Sequence, residues 1–228
     1  MAAPSARIDA ILSLLRPCRV LADVGTDHGL VPVLAVTQGL AQRAIAADLR
    51  EAPLALARRQ IAEAGLGERV STLLGDGLIA LRGQSVDAVV MAGMSGALMR
   101  RLCEAAPDVL HDVQQLVLQP NNDADLVRAW ARESGWHVRD ERMVQTRGRF
   151  FVMCAFTHGS GIDPAYTQSG WTEEMLLRVG PCLAGRKDAV ALRYCEAQRV
   201  RLQRLVSEGV QTHEAELSGF ETACELMQ

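Results

Sequence analysis

The 228-residue sequence has no long apolar run, no closely spaced pair of cysteines and only one lysine. No apolar segment reaches the roughly 18 residues that a membrane-spanning helix needs, which argues against a helical membrane protein. Residues 1–11 contain Arg7 and Asp9 but no apolar core ahead of a cleavage site, so they predict no signal peptide. We therefore expect a cytoplasmic protein with no membrane partner.

The six cysteines lie far apart and form no C-x-x-C pair. A disulfide framework is typical of short secreted chains, and a zinc site needs clustered ligands. The pattern therefore predicts no metal site and six small, apolar side chains in a reducing compartment. These cysteines are residues 18, 103, 154, 182, 195 and 224.

Charge is distributed unevenly along the chain, although the net charge of −3 argues weakly against a nucleic-acid partner. Residues 178–204 contain seven basic side chains against two acidic ones, whereas residues 207–228 contain five glutamates and no Lys or Arg. The basic segment, with the arginines at 142, 147 and 149, is a candidate surface for phosphates. An exposed helix face is the alternative. Every cation except Lys187 is arginine, a bias that gene composition also produces and to which we give little weight.

Short apolar runs alternate with helical patterns from residue 20 to about residue 135. Hydrophobic residues make up 49% of the chain, which is enough for a substantial core. Strands that alternate with helices predict right-handed crossovers and a parallel sheet covered on both faces. The predicted strands are 20–24, 44–48, 70–74, 86–92 and 116–119, and the predicted helices are 30–40, 51–64, 95–106 and 123–134.

Two further segments, 137–145 and 150–156, break this rhythm and predict a β-hairpin around the turn Arg147-Gly148-Arg149. A parallel sheet closed by an antiparallel hairpin is the methyltransferase variant of the doubly wound, Rossmann-like α/β fold. An ordinary dinucleotide-binding domain is expected to finish with a parallel strand instead.

Helical patterns also precede and follow the predicted sheet. A helix is predicted over residues 6–15, and a turn-rich linker begins at His158. Beyond this linker, Gly209 separates a long helix from a second helix with an a/d-like apolar stripe, which predicts a coiled-coil-like helical hairpin. We expect a catalytic domain at 1–158 and a helical domain at 159–228.

The loop after the first strand, Asp23-Val-Gly-Thr-Asp-His-Gly29, distinguishes two classes of cofactor. A dinucleotide needs G-x-G-x-x-G, because bare backbone has to approach a pyrophosphate. Here Asp27 lies between Gly25 and Gly29, and its carboxylate would repel a pyrophosphate. S-adenosylmethionine carries a cationic sulfonium and an ammonium group and no phosphate, so the loop predicts this cofactor. A tight turn in which Asp27 caps the next helix is the alternative.

Acidic residues also end the second and third predicted strands. Asp48 lies 25 residues after Asp23, near the spacing expected for an acid that binds ribose hydroxyls. Its alternative role is to cap the helix that begins around Glu51. Asp76, between two glycines, can reach an adenine amino group, although Asp-Gly is also common in plain turns. Because parallel strands end at one edge of a sheet, three acids there favour a ligand site.

The fourth and fifth strands end in loops that are expected to face the methyl acceptor. Met91-Ala-Gly-Met-Ser-Gly96 is not the G-x-S-x-G of a serine hydrolase, because Ala97 stands at the last position. Gln119-Pro-Asn-Asn122 offers amides that can hydrogen-bond an exocyclic amine or a ring nitrogen. A helix cap at Asn122 or Asp123 is the alternative.

Together these motifs resemble the bacterial tRNA (adenine(22)-N1)-methyltransferases, the TrmK family. The resemblance runs from about Arg7 to Leu205. It implies a class I methyltransferase domain followed by a helical domain, with S-adenosyl-L-methionine as cofactor. It also implies methyl transfer to N1 of an adenine in the D-arm region of tRNA. The segments that match are 22–28, 75–78, 92–96, 118–121, 179–183 and 187–190.

The resemblance also implies which residues surround each ligand group. The methionine end of the cofactor is expected in the first loop, its ribose at the second strand and its adenine at the third. The target base is expected between the fourth and fifth strands. His28 is equally well interpreted as a structural residue. The cofactor-binding residues are then Asp23, Gly25, Thr26, Asp27, His28, Asp48, Asp76, Gly77 and Ala92, and the catalytic residues are Gly93, Met94, Gln119, Pro120 and Asn121.

Four residues depart from the family pattern. Phe151 and Val152 stand in the hairpin where the family has tyrosine and glutamate, Asp48 replaces a glutamate, and Ser95 replaces a glycine. The hairpin changes motivate one alternative, a methyltransferase for another RNA adenine or for a small molecule. A second alternative is a non-catalytic tRNA-binding protein that retains the cofactor as a structural ligand. The sequence leaves the oligomeric state open.

Overall fold

Seven strands form one mixed sheet in the computed structural model, which describes residues 5–208 and 210–228. The strand order is β3-β2-β1-β4-β5-β7-β6, in which β1 to β5 are parallel and β7 is antiparallel to both of its neighbours. The strands are β1 (Cys18–Val24), β2 (Ala41–Asp48), β3 (Val70–Leu74), β4 (Ala88–Met94), β5 (Gln115–Pro120), β6 (Trp136–Thr146) and β7 (Arg149–His158). The predicted α/β fold, a doubly wound sheet closed by an antiparallel hairpin, is confirmed.

Helices cover both faces of this sheet, as the buried, apolar strands require. Each predicted helix and strand is present, with ends that differ from the prediction by at most three residues. Three helices, α5, α7 and α8, were not predicted individually; α5 begins with Pro107 at its first turn, a position that proline favours. The helices are α1 (Ala6–Ser13), α2 (Leu30–Thr37), α3 (Glu51–Glu63), α4 (Gly96–Glu104), α5 (Pro107–Asp112), α6 (Ala124–Glu133), α7 (Glu173–Val179), α8 (Pro181–Gly185), α9 (Ala189–Ser207) and α10 (Glu214–Met227).

The C-terminal helices have a hydrophobic core of their own, which is shared with the outer end of the hairpin. Helices α9 and α10 are antiparallel, since Cys195 contacts Met227 and Gln203 contacts Glu221. Asp188 caps α9 by accepting hydrogen bonds from the backbone N–H groups of Val190 and Ala191. The expected helical hairpin is therefore present, although Gly209, which was expected to separate its helices, lies outside the described residues. No helix of the described ranges is long and apolar enough to cross a membrane.

A buried ion pair connects the sheet to these C-terminal helices. Arg128 on α6 donates to Glu141 on β6 at 2.7 Å, and both side chains are buried. Arg128 also donates to the carbonyl oxygen of Leu177 (2.7 Å), and Glu141 accepts from the backbone N–H of Cys182 (2.9 Å). Burial by itself would lower the pKa of Arg128, but the charge and hydrogen bond of Glu141, together with the nearby Cys154 and Tyr166, outweigh it and raise that pKa. The pair thus fixes α7 and α8 against the hairpin.

Gly180 is the residue that lets the chain pass over this ion pair. Its φ is +108°, and a β-carbon there would lie 2.7 Å from both a guanidinium nitrogen of Arg128 and a carboxylate oxygen of Glu141. Only glycine satisfies both the backbone conformation and the space. This explains why a glycine stands in the segment Val179–Leu183, which was recognised from sequence without a structural reason.

Replacing Glu141 by glutamine tests the importance of the pair. We expect Glu141→Gln to lose about 3–5 kcal/mol of unfolding free energy, because it leaves the Arg128 guanidinium buried without a counter-charge. Urea unfolding measures the loss. Arg82→Gln, which breaks an exposed ion pair with Asp108, is the control and should leave the midpoint nearly unchanged. A Glu141→Gln transition as stable as that of the control contradicts the assignment.

Candidate functional site

A cleft of about 480 Å³ opens at the carboxyl edge of the sheet, where β1, β2 and β4 end and where the turn after β3 begins. Its volume lies in the range of small-molecule and cofactor sites. Five of the residues predicted from sequence line it, and they belong to four different loops: Gly25, Asp48, Asp76, Gly77 and Met94.

The first loop is fixed by hydrogen bonds to the neighbouring strand. The backbone N–H groups of Gly25 and Thr26 both donate to the carbonyl oxygen of Ala47 (2.8 and 2.9 Å). Helix α2 begins after Gly29 without a side-chain cap, so the alternative role for Asp27 as its cap is wrong. The Asp27 side chain is 83% exposed and lies 3.2 Å from His28. These two residues are therefore on the outer side of the loop and do not line the cleft.

Asp23 lies behind the cleft and is buried. Burial raises its pKa to about 6, and the nearby carboxylates of Asp48 and Asp27 act in the same direction. No cation lies among the groups that act on Asp23 itself, whereas Arg50 contacts Asp48 (3.3 Å) and His28 contacts Asp27 (3.2 Å). A ligand with positive charge fits this field, since it would favour the ionised form of Asp23.

The carboxylate of Asp48 has two roles available to it. Its Oδ1 accepts from the backbone N–H and the Nε of Arg50 (2.8 and 3.3 Å), which fixes the turn into α3. In the described part of the chain its Oδ2 has no hydrogen-bond partner, so that oxygen is available to a ligand. Asp76 begins a short 3-10 turn without capping it, and its carboxylate is also available.

The loops after β4 and β5 are joined through Asn121. Its side-chain Nδ2 donates to the carbonyl oxygen of Gly93, and its backbone N–H donates to that of Met94, both at 2.7 Å. Gly93 is a bulge in β4 with φ +78°, which changes the direction of the following side chain. One Nδ2 hydrogen of Asn121 is engaged in this way and shapes the loop, while its second Nδ2 hydrogen and its Oδ1 remain for a base.

Two neighbouring polar side chains also make contacts within the protein. Gln119 is fully buried and pairs in register with Ala92; its Nε2 donates to Pro120 (2.8 Å), while its Oε1 has no partner among the described residues. Ser95 caps α4 by accepting from the N–H of Leu98 (3.2 Å), which gives the serine a structural role.

Helix α4 contributes residues that the sequence did not single out. Leu98, Arg101, Leu102 and Ala105 line the cleft, and they carry no motif other than helical spacing. Their apolar side chains form the wall opposite the acidic loops, and Arg101 lies at the exposed rim. Other lining residues that were missed follow Asp48 and Asp76 in sequence: Leu49, Arg50, Leu78 and Ile79.

The β6–β7 hairpin projects from the same edge of the sheet. Since β7 is antiparallel to β5 and Cys154 pairs with Leu118, the beginning of β7 lies beside the end of β5. The ring of Phe151 there has the guanidinium groups of Arg7 and Arg149 at 5.5 and 5.4 Å from its centre. Such distances are those of cation–π contacts. A basic, aromatic surface therefore lies near the end of β5.

The described residues contain no group of three or more His, Cys, Asp or Glu side chains that could hold a metal ion. The charged groups that line the cleft are the carboxylates of Asp48 and Asp76 and the guanidinium groups of Arg50 and Arg101. Acidic groups at a glycine loop fit a cationic, phosphate-free cofactor, as the sequence predicted.

This doubly wound sheet, with its acidic cleft, defines a Rossmann-like methyltransferase, and residues 4–154 match the methyltransferase domain family. A tRNA (adenine(22)-N(1))-methyltransferase from Bacillus subtilis (strain 168) is 34% identical to the chain over 189 residues, which cover 83% of this chain and 78% of the relative. The chain belongs to the tRNA (adenine(22)-N1)-methyltransferase family.

Solved structures agree with this assignment. The crystal structure of the B. subtilis m1A22 tRNA methyltransferase TrmK is 28% identical, with a TM-score of 0.84 over 100% of this chain and 98% of that chain. A Streptococcus pneumoniae relative in complex with S-adenosyl-L-methionine is 26% identical, with a TM-score of 0.87 over 97% and 100%. The predicted family, fold class and cofactor are confirmed. The roles of individual site residues remain predictions.

Because the pKa of Asp23 is raised, we expect the stability of the cofactor-free protein to depend on pH. The folded protein retains this proton up to about pH 6, whereas the unfolded chain loses it near pH 4. The stability that the group contributes is therefore complete below about pH 4 and is lost as the pH rises to about 6. We expect Asp23→Asn to gain up to about 3 kcal/mol of unfolding free energy relative to the unsubstituted protein between pH 4 and pH 7.

Urea unfolding of both proteins at the two pH values measures this gain. Asp112→Asn, at an exposed position on α5, is the matched control and should show no comparable gain. The same Asp23→Asn protein should bind S-adenosylhomocysteine more weakly at pH 7.5. A stability difference that does not change with pH would contradict the raised pKa.

Proposed function

We propose that this protein transfers a methyl group from S-adenosylmethionine to N1 of adenine 22 in tRNA. The observation that carries the proposal is the 34% identity over 83% of the chain to the B. subtilis enzyme that is named for this reaction. The geometry supports it, because an acidic cleft and a basic, aromatic surface meet at the carboxyl edge of one sheet.

The residues of the cleft bind and orient the cofactor in this proposal. When bound, S-adenosylmethionine supplies an electrophilic methyl group. Asp23, with Asp27 farther out on the same loop, would provide negative charge for its cationic end. The Oδ2 of Asp48 would accept from ribose hydroxyls, and Asp76 would accept from the adenine amino group. The apolar wall of α4 covers the opposite side.

The residues in the loops after β4 and β5 position the acceptor. N1 lies on the Watson–Crick edge of adenine, so a paired base has to be unpaired before it can enter. Its lone pair would attack the methyl carbon, whose bond to the sulfonium sulfur breaks so that S-adenosylhomocysteine leaves. No strong general base is needed, and alignment therefore supplies much of the rate gain. The unpartnered Oε1 of Gln119 is a suitable acceptor for the adenine amino group, because an unmet buried acceptor costs about 1–3 kcal/mol.

The structure sorts the arginines that were expected to bind tRNA phosphates. Within the basic segment 178–204, three arginines are committed to ion pairs, and so is Arg142 on β6; these four are Arg142, Arg178, Arg186 and Arg204. Four others have no carboxylate partner in the described ranges and lie around the hairpin tip: Arg7, Arg147, Arg149 and Arg193, the last of which contacts Gln145. We assign phosphate binding to this second group, the hairpin-tip arginines, and expect the enzyme to act in the cytoplasm on tRNA.

Methylation of transcripts tests the acceptor. We expect radiolabelled methyl transfer to a tRNA transcript with adenine 22 and none above background when that base is changed to guanine. Equal transfer to both transcripts favours another RNA adenine, and no transfer without tRNA binding favours a small-molecule acceptor; the hairpin residues Phe151 and Val152 motivate both alternatives. Binding of tRNA and cofactor without turnover favours the non-catalytic alternative.

Salt dependence tests the hairpin-tip arginines. We expect tRNA affinity to fall steeply with added salt, and Arg149→Gln to reduce the slope of log Kd against log salt by about one. Arg204→Gln is the matched control, because Arg204 is paired with Glu208 on α9. Filter binding between about 50 and 300 mM salt, where screening changes strongly, measures the slopes. Equal slopes for the two variants would contradict the assignment.

A further inference from the structure

The side chain of Met94 lies across Gly25 at the inner end of the cleft. A β-carbon added to Gly25 would be only 1.9 Å from the Cε of Met94 and 3.7 Å from its Sδ. Gly25 has φ +76°, and its N–H is engaged by Ala47, so the backbone of the first loop is fixed. The space that this glycine leaves open for a close ligand is therefore filled by a thioether from the same protein.

Met94 is held by its backbone and not by its side chain. Its carbonyl oxygen accepts from Asn121, and the bulge at Gly93 aims its side chain into the cleft. The side chain itself is half-buried and has three rotatable bonds with a polarizable sulfur. It is thus able to move while the loops of β4 and β5 remain in place.

We propose that Met94 covers Gly25 in the cofactor-free enzyme and that cofactor binding displaces its side chain towards the acceptor loops. There it forms part of the wall against which the target base lies, beside Gln119 and Asn121. The acceptor site is then complete only when the cofactor is bound, which makes cofactor binding precede productive tRNA binding. The inference rests on the cofactor site and holds whether or not adenine 22 is the acceptor.

The closed position of Met94 has a measurable cost for binding. If the binding-competent state is a minor one, the apparent affinity is reduced by its fraction. Removing the side chain removes that reduction. We expect Met94→Ala to bind S-adenosylhomocysteine about three- to tenfold more tightly than the unsubstituted protein, as measured by isothermal titration calorimetry.

Leu98→Ala is the matched control, because Leu98 lines the same cleft from α4 but does not lie over Gly25. We expect this variant to bind S-adenosylhomocysteine equally or more weakly, through lost contact area. Met94→Leu, which lacks the Cε methyl and keeps an apolar side chain, serves if the alanine variant does not fold. Affinity of the Met94 variant equal to or weaker than that of the unsubstituted protein overturns the proposal.

A second measurement follows the side chain directly. In protein labelled with 13C at the methionine methyl groups, the Met94 signal is identified by its loss in Met94→Leu. We expect a nuclear Overhauser contact between this methyl and the Gly25 Hα in the cofactor-free protein, and its loss on saturation with S-adenosylhomocysteine. A contact that is absent from the start or that persists at saturation overturns the proposal. Neither measurement uses tRNA, so failure of the methylation assay is distinguishable from failure here.

Discussion

The buried ion pair between Arg128 and Glu141 is the interaction on which the arrangement of the two parts of the molecule depends. It is formed between a helix and a strand of the sheet, yet it also bonds to the backbone of the C-terminal helices at Leu177 and Cys182. Removal of either charge leaves the other in the interior, where its desolvation is not compensated. Because a β-carbon at Gly180 would collide with Arg128 and Glu141, the backbone at this glycine passes directly against the ion pair.

The same ion pair also supports the hairpin beside the cleft. Glu141 lies on the strand that leads to the hairpin tip, and the hairpin carries Arg147, Arg149 and Phe151 to the carboxyl edge of the sheet. The helices that pack on the hairpin thereby support a surface beside the cleft. Function and stability oppose each other at Asp23, behind the cleft. This residue is buried near other carboxylates, so its ionised form is unfavourable, and a cationic ligand would stabilise that form.

Most of the fold could be predicted because periodic apolar patterns report which side of each element is buried. Helix α5 was missed because six residues between a proline and a strand are too few to show a period. The loops carrying Gly25, Asp48 and Asp76 could be predicted to meet, since parallel strands end at one edge. The wall formed by Leu98, Arg101 and Leu102 could not, because their spacing is that of any helix that covers a sheet.

The sequence by itself determined the class of fold, the family and the kind of cofactor, since these depend on residue types at fixed positions along the chain. Only the tertiary structure decided what individual side chains do. In the folded protein the Asn121 amide donates to Gly93, the Oε1 of Gln119 has no partner among the described residues, and Met94 lies over Gly25. It also separated paired arginines from those without a carboxylate partner. Hydrogen bonds and ion pairs between distant segments leave no periodic trace in a sequence, because they depend on how the folded elements meet.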